Sequence, residues 1–529
     1  MGDAAMLIGL LITAMVTFHW SYSSLWFEVG RLFEGVATTS NKAIIENIPK
    51  LEIDDNHMFY KFYTNYSVSS SKILQAMRIL FCIAMVSYAV TIEIVLWQIK
   101  TADEKQQINF IASYIWPSIS VALSILLILV QPFFALMLLL NKFYHDKMDV
   151  DSLVIITSIS LLSTITALNF TTIGPFKYTE NVLTKLSIVG ITIMAILSAV
   201  ASVSTLYYTY LMLKSKFCGI SSDYTNRVLD DNSTGTLLWY ADEMVKKRME
   251  SYRKHMEEDI KILRRLDQEP NGKNSPMRDQ LVEKIGWYQL ELGQLDSRLQ
   301  EPKYRQTAKK LFHFFFMVYC LYKVIMTFTK RIPVIVSDSF KNNRNEQLEE
   351  NNLGADPLAI TIANILDILF FRFNYQHDLD ALTRQISLVI STSLFVCSFS
   401  TVATTISYMV ALLPTRFRIL AMYAIHSGEN MSELPHFKKS VKQLSTRKAP
   451  SIIKNLFISE LSGIYVVATI LTIRSNLPFE VSQRVNDLLG ERFAVPNVVI
   501  DSWFEIIYGT FCVLTMFGIK FVEWTLLAS

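Results

Sequence analysis

The chain has 529 residues, 51% of them hydrophobic and 18% charged, with a net charge of +3. That composition excludes an ordinary soluble domain, and the small net charge with no basic–aromatic platform gives no support to nucleic-acid binding. Five scattered cysteines without a CxxC pair indicate neither a zinc site nor a disulfide framework.

A hydrocarbon core of about 30 Å takes roughly 20 apolar residues per helix. In chain order the expected spans are Ala4–Trp26, Ile79–Trp97, Phe110–Leu140, Leu153–Phe170, Leu186–Leu213, Leu311–Phe328, Gln385–Pro414, Ile452–Ile473 and Trp503–Leu527. Phe110–Leu140, Leu186–Leu213 and Gln385–Pro414 contain no charged residue. The first stretch lacks a basic leader and carries Asp3, so it reads as an uncleaved span. A shorter stretch, Leu358–Phe373, is interrupted by Asp367 and Arg372 and reads as an interfacial helix. The expected fold is all-α: a polytopic bundle of about nine spans with a cytoplasmic coiled-coil hairpin. Residues 1–213 form a five-span region, 214–310 the hairpin loop, and 311–529 a four-span region.

Basic residues collect in the first loop, in Lys214–Lys310 and in the Arg416–Lys448 segment. The positive-inside rule then places the N-terminus in the lumen, with the long loop and C-terminus in the cytoplasm. Within that loop Val245, Met249, Tyr252, Met256, Ile260 and Leu263 recur at helical spacing. After Pro270-Asn271-Gly272, the series Leu281, Ile285, Tyr288, Leu292, Leu295, Leu299 steps by fours and threes, a heptad seam. The pattern is that of an antiparallel hairpin, serving either as a packed spacer or as a dimer or partner contact.

Chemistry inside the membrane rests on few groups. Glu93, Lys323, Lys454, Glu460, Glu505, Lys520 and Glu523 are ionisable within spans, and most lie near a span end. Lys323 is deeper, and reads as a positive element of an anion path, as one member of an ion pair with Glu460 or Glu93, or as a lysine reaching the lumenal interface. The fifth span holds small residues four apart, Ala195 with Ala199 and Ser198 with Ser202. Close helix packing is their default role, and hydroxyls lining a path are the second. HExxH, GxSxG and GxGxxG are absent, and Asn271-Gly272-Lys273-Asn274 lacks the first glycine and the Ser/Thr of a phosphate loop. Neither an enzyme nor a cofactor is expected.

Five segments, in order, resemble the Golgi pH regulator family. They are Gly174-Pro175-Phe176, the run from Gly190 through Met194 to Ser198, and Tyr319-Cys320-Leu321-Tyr322-Lys323. Gly463-Ile464-Tyr465 through Arg474 follows, and then Leu489-Gly490-Glu491 with Trp503-Phe504-Glu505. The resemblance covers roughly residues 174–527. It implies a nine-span endomembrane protein acting as a voltage-dependent anion channel, with chloride entry offsetting the charge carried by proton pumping. The family also includes plant members proposed as GTP-binding receptors, so a non-conducting receptor or scaffold working through the hairpin is the alternative. The sequence departs from animal members in having no arginine at Cys397–Thr401. Lys323, Arg474, Ser198 and Ser202 are the candidate path residues. The expected partners are the bilayer and small anions, and a homodimer is the expected assembly.

Overall fold

The computed structural model describes residues 2–29, 71–100, 110–144, 149–218, 242–268, 276–300, 302–335, 452–476 and 495–528. Helix α1 (Gly2–Trp20) runs through a π turn (Ser21–Leu25) into a last turn, Trp26–Val29. It is followed by α2 (Ser71–Lys100), α3 (Phe110–Ser124), a π turn (Ile125–Val130) and α4 (Gln131–Tyr144). Next come α5 (Val150–Phe170) and α6 (Val182–Cys218). The hairpin helices are α7 (Asp242–Gln268) and α8 (Pro276–Gln300). Then α9 (Lys303–Met326) is extended by a third π turn (Thr327–Arg331), and α10 (Ile452–Asn476) and α11 (Asn497–Ala528) complete the set. No strand occurs among the described residues.

Seven of these segments are long and apolar enough to cross a bilayer, so the protein is an all-α polytopic membrane bundle. They correspond to the expected first five spans and the last two. The expected span Leu311–Phe328 is helical within α9 but is not one of the seven found among the described residues. The expected span Gln385–Pro414, the interfacial stretch Leu358–Phe373 and the Cys397–Thr401 segment lie outside the described residues.

The bundle is organised around α10. Its apolar window is 72% buried, against 11% for α5, so α10 is a protein-facing core helix and α5 a peripheral one. Helix α10 packs on α2, α4, α6 and α11, and α6 packs in turn on α11 and α9. Glycine permits a close approach of α6 to α10: a Cβ on Gly190 of α6 would stand 2.8 Å from Ile464 and 3.0 Å from Ala468.

A buried polar relay ties α2, α4 and α10 together. The Tyr88 hydroxyl donates to Gln131 Oε1 at 2.9 Å, and Gln131 Nε2 donates to Ser459 Oγ at 2.8 Å. All three side chains are buried, so each bond removes an otherwise unsatisfied group from an apolar interior. Gln131 follows the π turn and precedes Pro132, which has no N–H to give the helix. One turn before Ser459, Asn455 Nδ2 donates to the Trp26 carbonyl at 2.8 Å and fastens α10 to the end of the first span. At the other end of the bundle, buried Lys185 donates to the carbonyls of Asn169 (2.5 Å) and Thr171 (3.4 Å), a cation placed at the negative end of α5.

The two helical series of the long loop pack on one another and form their own core. Val245, Tyr252, Met256, Leu263, Leu281, Val282, Ile285, Tyr288, Leu292 and Leu295 are buried in it. Tyr252 meets Trp287 and Tyr288, while Asp259, further along α7, pairs with the earlier Lys284 of α8 at 3.0 Å. The helices are therefore antiparallel.

Candidate functional site

Lys323 lies on the last α-helical turn of α9, just before the π turn that extends it. Its Nζ stands 4.4 Å from the centroid of Phe504 and 5.0 Å from that of Tyr508. Those residues are four apart on α11, and their rings stack with centroids 6.3 Å apart and planes 8° apart. The ammonium thus faces two aligned π faces, an arrangement worth about 0.5–1 kcal/mol per contact at an exposed site and about 2 kcal/mol or more once desolvated.

The rest of the site is built by α6 and the π turn. Fully buried Cys320, one turn before Lys323, contacts Ser202 of α6. The Tyr508 hydroxyl sits beside Ser202 and Cys512, buried and without a partner at hydrogen-bond geometry. Thr327 Oγ1 donates to Glu505 Oε2 at 2.7 Å, so the neighbouring carboxylate is held by a hydroxyl. Among the described residues Lys323 forms no ion pair, and the alternative of a bridge to Glu460 or Glu93 is corrected accordingly. Glu93 and Glu460 lie on α2 and α10, whereas α9 packs chiefly on α6. Each has a buried Oε2 without a hydrogen-bond partner.

Of the four path candidates, Lys323 and Ser202 come together around Cys320, Tyr508 and Cys512. Ser202 is buried and Ser198 half-buried. The small-residue face of α6 is used for packing, since Ala195 and Ala199 are fully buried in a cluster with Tyr508 and Cys512. Arg474 lies near the end of α10, and its side chain is outside the described residues, as are Gly490 and Glu491. Cys82, Cys320 and Cys512 are buried free thiols.

Most of the buried motif residues lie where α6 meets α10 and α11, and Gly463 lies where α10 meets α2. Gly190 meets Ile464 and Ala468, and half-buried Met194 packs on the main core. Gly463 lies against Tyr88 and Leu127, and Tyr465 is buried. Trp503 Nε1 donates to Thr192 Oγ1 at 2.9 Å, and Phe176 meets the Trp503 ring edge-on. Gly174, at φ +60°, presses on the same indole, where a Cβ would come within 2.5 Å. Tyr319, by contrast, is exposed on the outer face of α9. Sequence reasoning missed Tyr88, Gln131, Ser459 and Asn455. The available signal was the presence of amides and a hydroxyl inside otherwise apolar spans, since such groups need partners.

Comparison with known proteins bears on these motifs. The Golgi pH Regulator (GPHR) Family N-terminal profile matches residues 176–252, and the Abscisic acid G-protein coupled receptor profile matches residues 300–524. A protein of Saccharomyces cerevisiae named Uncharacterized protein YHR078W is 47% identical over 535 aligned positions, covering 98% of this chain and 97% of that one. The chain belongs to the Golgi pH regulator family. The matched ranges take in all five motif segments except the first two residues of the Gly174 turn, and the part of the hairpin from residue 253 to 299 falls between them. No solved structure matches. Membership of the Golgi pH regulator family, together with seven membrane-capable helices, makes this a multi-pass endomembrane protein.

Proposed function

We propose that this member of the Golgi pH regulator family is a voltage-dependent anion channel of endomembranes. In this reading it passes chloride or a similar small anion to balance the charge delivered by proton pumping, and so regulates lumenal pH. The observation that carries the reading is Lys323. It is a cation within the bundle, held by the faces of Phe504 and Tyr508, and no carboxylate bonds to it among the described residues. A charge held by ring faces keeps its field available to a passing anion, whereas a bridged one is largely neutralised. Ser202 adds a buried hydroxyl beside it, and Arg474 is assigned to the lumenal end of the same path. The N-terminus is lumenal and the hairpin cytoplasmic. Chloride flux from liposomes holding the purified protein under an imposed potential tests this. Wild-type protein is expected to conduct and Lys323→Gln to conduct several-fold less. Absence of wild-type flux overturns the channel, and unchanged flux in Lys323→Gln overturns the role of the lysine.

The hairpin favours a second reading, that of a receptor or scaffold, because α7 and α8 carry a core of their own. Removing residues 242–300 separates the two: a channel retains flux, and a scaffold loses its function.

A further inference from the structure

Two carboxyls inside the bundle, Glu93 and Glu460, each have a buried oxygen that finds no hydrogen-bond partner, and among the described residues neither pairs with a cation. Their surroundings differ. Glu93 of α2 faces the backbone of α1, its Oε1 standing 2.9 Å from where a Cβ on Gly9 would be. Glu460 of α10 sits among polar groups. It follows Ser459, which accepts from Gln131, and Gly463, one turn on, lies against the Tyr88 hydroxyl. The turn of α10 that carries Glu460 is therefore the turn that carries the buried relay, and the carboxyl lies within electrostatic reach of the Tyr88 phenol. At 1.5 Å per residue Glu460 is about 12 Å along the helix from Ile452 and about 20 Å from Ile473, well inside the hydrocarbon layer.

The charged groups of the neighbouring elements are engaged elsewhere. Arg78 of α2 stacks on Tyr22 and Phe27, and Glu28 at the end of the first span accepts from Ser24. Lys142 of α4 faces Lys454 in the first turn of α10. Lys185 of α6 caps α5, and Glu505 of α11 is held by Thr327. Among the described residues Tyr88 is thus the titratable group that bears on Glu460. An ionised Glu460 would carry a charge with one oxygen sealed in the protein and no donor or cation to offset it. A carboxyl escapes that arrangement by taking up a proton. The Tyr88 oxygen beside it donates to Gln131 and keeps lone pairs with which to accept.

We propose that Glu460 is a proton-binding site, which carries its proton at neutral pH and, on releasing it, sets a negative charge beside the Tyr88–Gln131–Ser459 relay that ties α10 to α2 and α4. The carboxyl O–H bond breaks, its electron pair stays on the carboxylate, and the proton passes to water. The site stands apart from Lys323 on α9 and does not depend on conduction.

Infrared difference spectroscopy of the full-length protein in lipid vesicles, taken as the buffer is changed from neutral to alkaline pH, reads the site through the C=O stretch of a protonated carboxyl. Exposed glutamates contribute nothing to it, because neutral pH is more than two units above their ordinary value of about 4.3. Wild-type protein should lose a protonated-carboxyl band as the pH rises. Glu460→Gln should lack that loss, and Glu93→Gln should keep it. Tyr88→Phe retains the carboxyl without the hydroxyl beside it, so the band should persist at a shifted frequency; this variant decides the matter if Glu460→Gln does not fold. A wild-type protein without the loss, or the same loss in Glu460→Gln, overturns the site. An unshifted band in Tyr88→Phe overturns its link to the relay.

Discussion

Replacing Gly463 by alanine adds a single methyl group at the point where α10 meets α2 and the π turn before α4. That methyl would stand 2.4 Å from Leu127 Cδ2, 2.5 Å from Tyr88 Oη and 2.6 Å from Tyr88 Cζ, so something has to move. Tyr88 is fully buried, its hydroxyl is bonded to Gln131, and Gln131 is bonded to Ser459. Retreat of the ring breaks the first of these bonds and leaves a buried acceptor unpaired, at about 1–3 kcal/mol. Overpacking of the backbone contact adds about 1–3 kcal/mol. The expected destabilisation of Gly463→Ala is therefore roughly 2–6 kcal/mol. Gly518 on α11 supplies the control, because a Cβ there meets nothing within 4 Å. Its alanine variant should be neutral or gain up to about 1 kcal/mol from helix propensity. Thermal stability of the purified proteins, read by fluorescence-detected size exclusion, compares the two. A Gly463→Ala protein as stable as Gly518→Ala would refute the packing argument.

Two further outcomes follow from other contacts. Gly174→Ala combines a left-handed backbone that alanine adopts at a cost of about 1–2 kcal/mol with a collision against Trp503. It should lower the melting temperature and raise the susceptibility of the 171–181 turn to proteolysis, and an unchanged digestion pattern would count against the contact. In the hairpin, burial raises the ionisation of the Tyr252 and Tyr288 phenols, and a hydrogen bond to Asp259 raises that of Lys284. All three protonated forms are favoured by the fold. The stability they lend is fully present below about pH 10, the ordinary value for these groups, and is lost as the pH climbs through the raised values. The tyrosinate absorbance of wild-type protein minus Y252F/Y288F should titrate above the free phenol, and titration at the ordinary value would contradict the burial.

The spans were legible because twenty uncharged apolar residues admit few other fates, and the hairpin because its fours and threes trace one helical face. The centrality of α10 was not. Hydropathy measures apolarity and is blind to whether lipid or protein supplies the apolar surroundings, so Ile452–Ile473 and Leu153–Phe170 look alike although one is core and the other periphery. The relay of Tyr88, Gln131 and Ser459 joins residues up to 371 positions apart in three helices, and nothing local in the sequence pairs them. Lys323 stood out as a deep charge, yet its partners Phe504 and Tyr508 lie on α11, reached only after the chain has left α9 and passed through α10. The carboxylates Glu93 and Glu460 were plausible counter-ions by charge alone and are ruled out by the helices that carry them.

The distribution of motif residues changes what they mean for function. Gly174, Gly190, Gly463 and Trp503 sit at helix contacts, where a missing side chain or one indole hydrogen bond sets how closely two backbones approach. They specify the scaffold of α2, α6, α10 and α11 rather than a path through it. Lys323 is of another kind. Its contacts are two ring faces, which an apolar or amide side chain of similar length also fits, so the fold gives no strong reason for a charge there. Holding a half-buried cation against rings inside a span, without a bonded carboxylate, is a cost that packing alone does not repay. Substitutions at the two classes should therefore separate: Gly463→Ala should lower stability and flux together, whereas Lys323→Gln should lower flux in a protein that melts at or above the wild-type temperature.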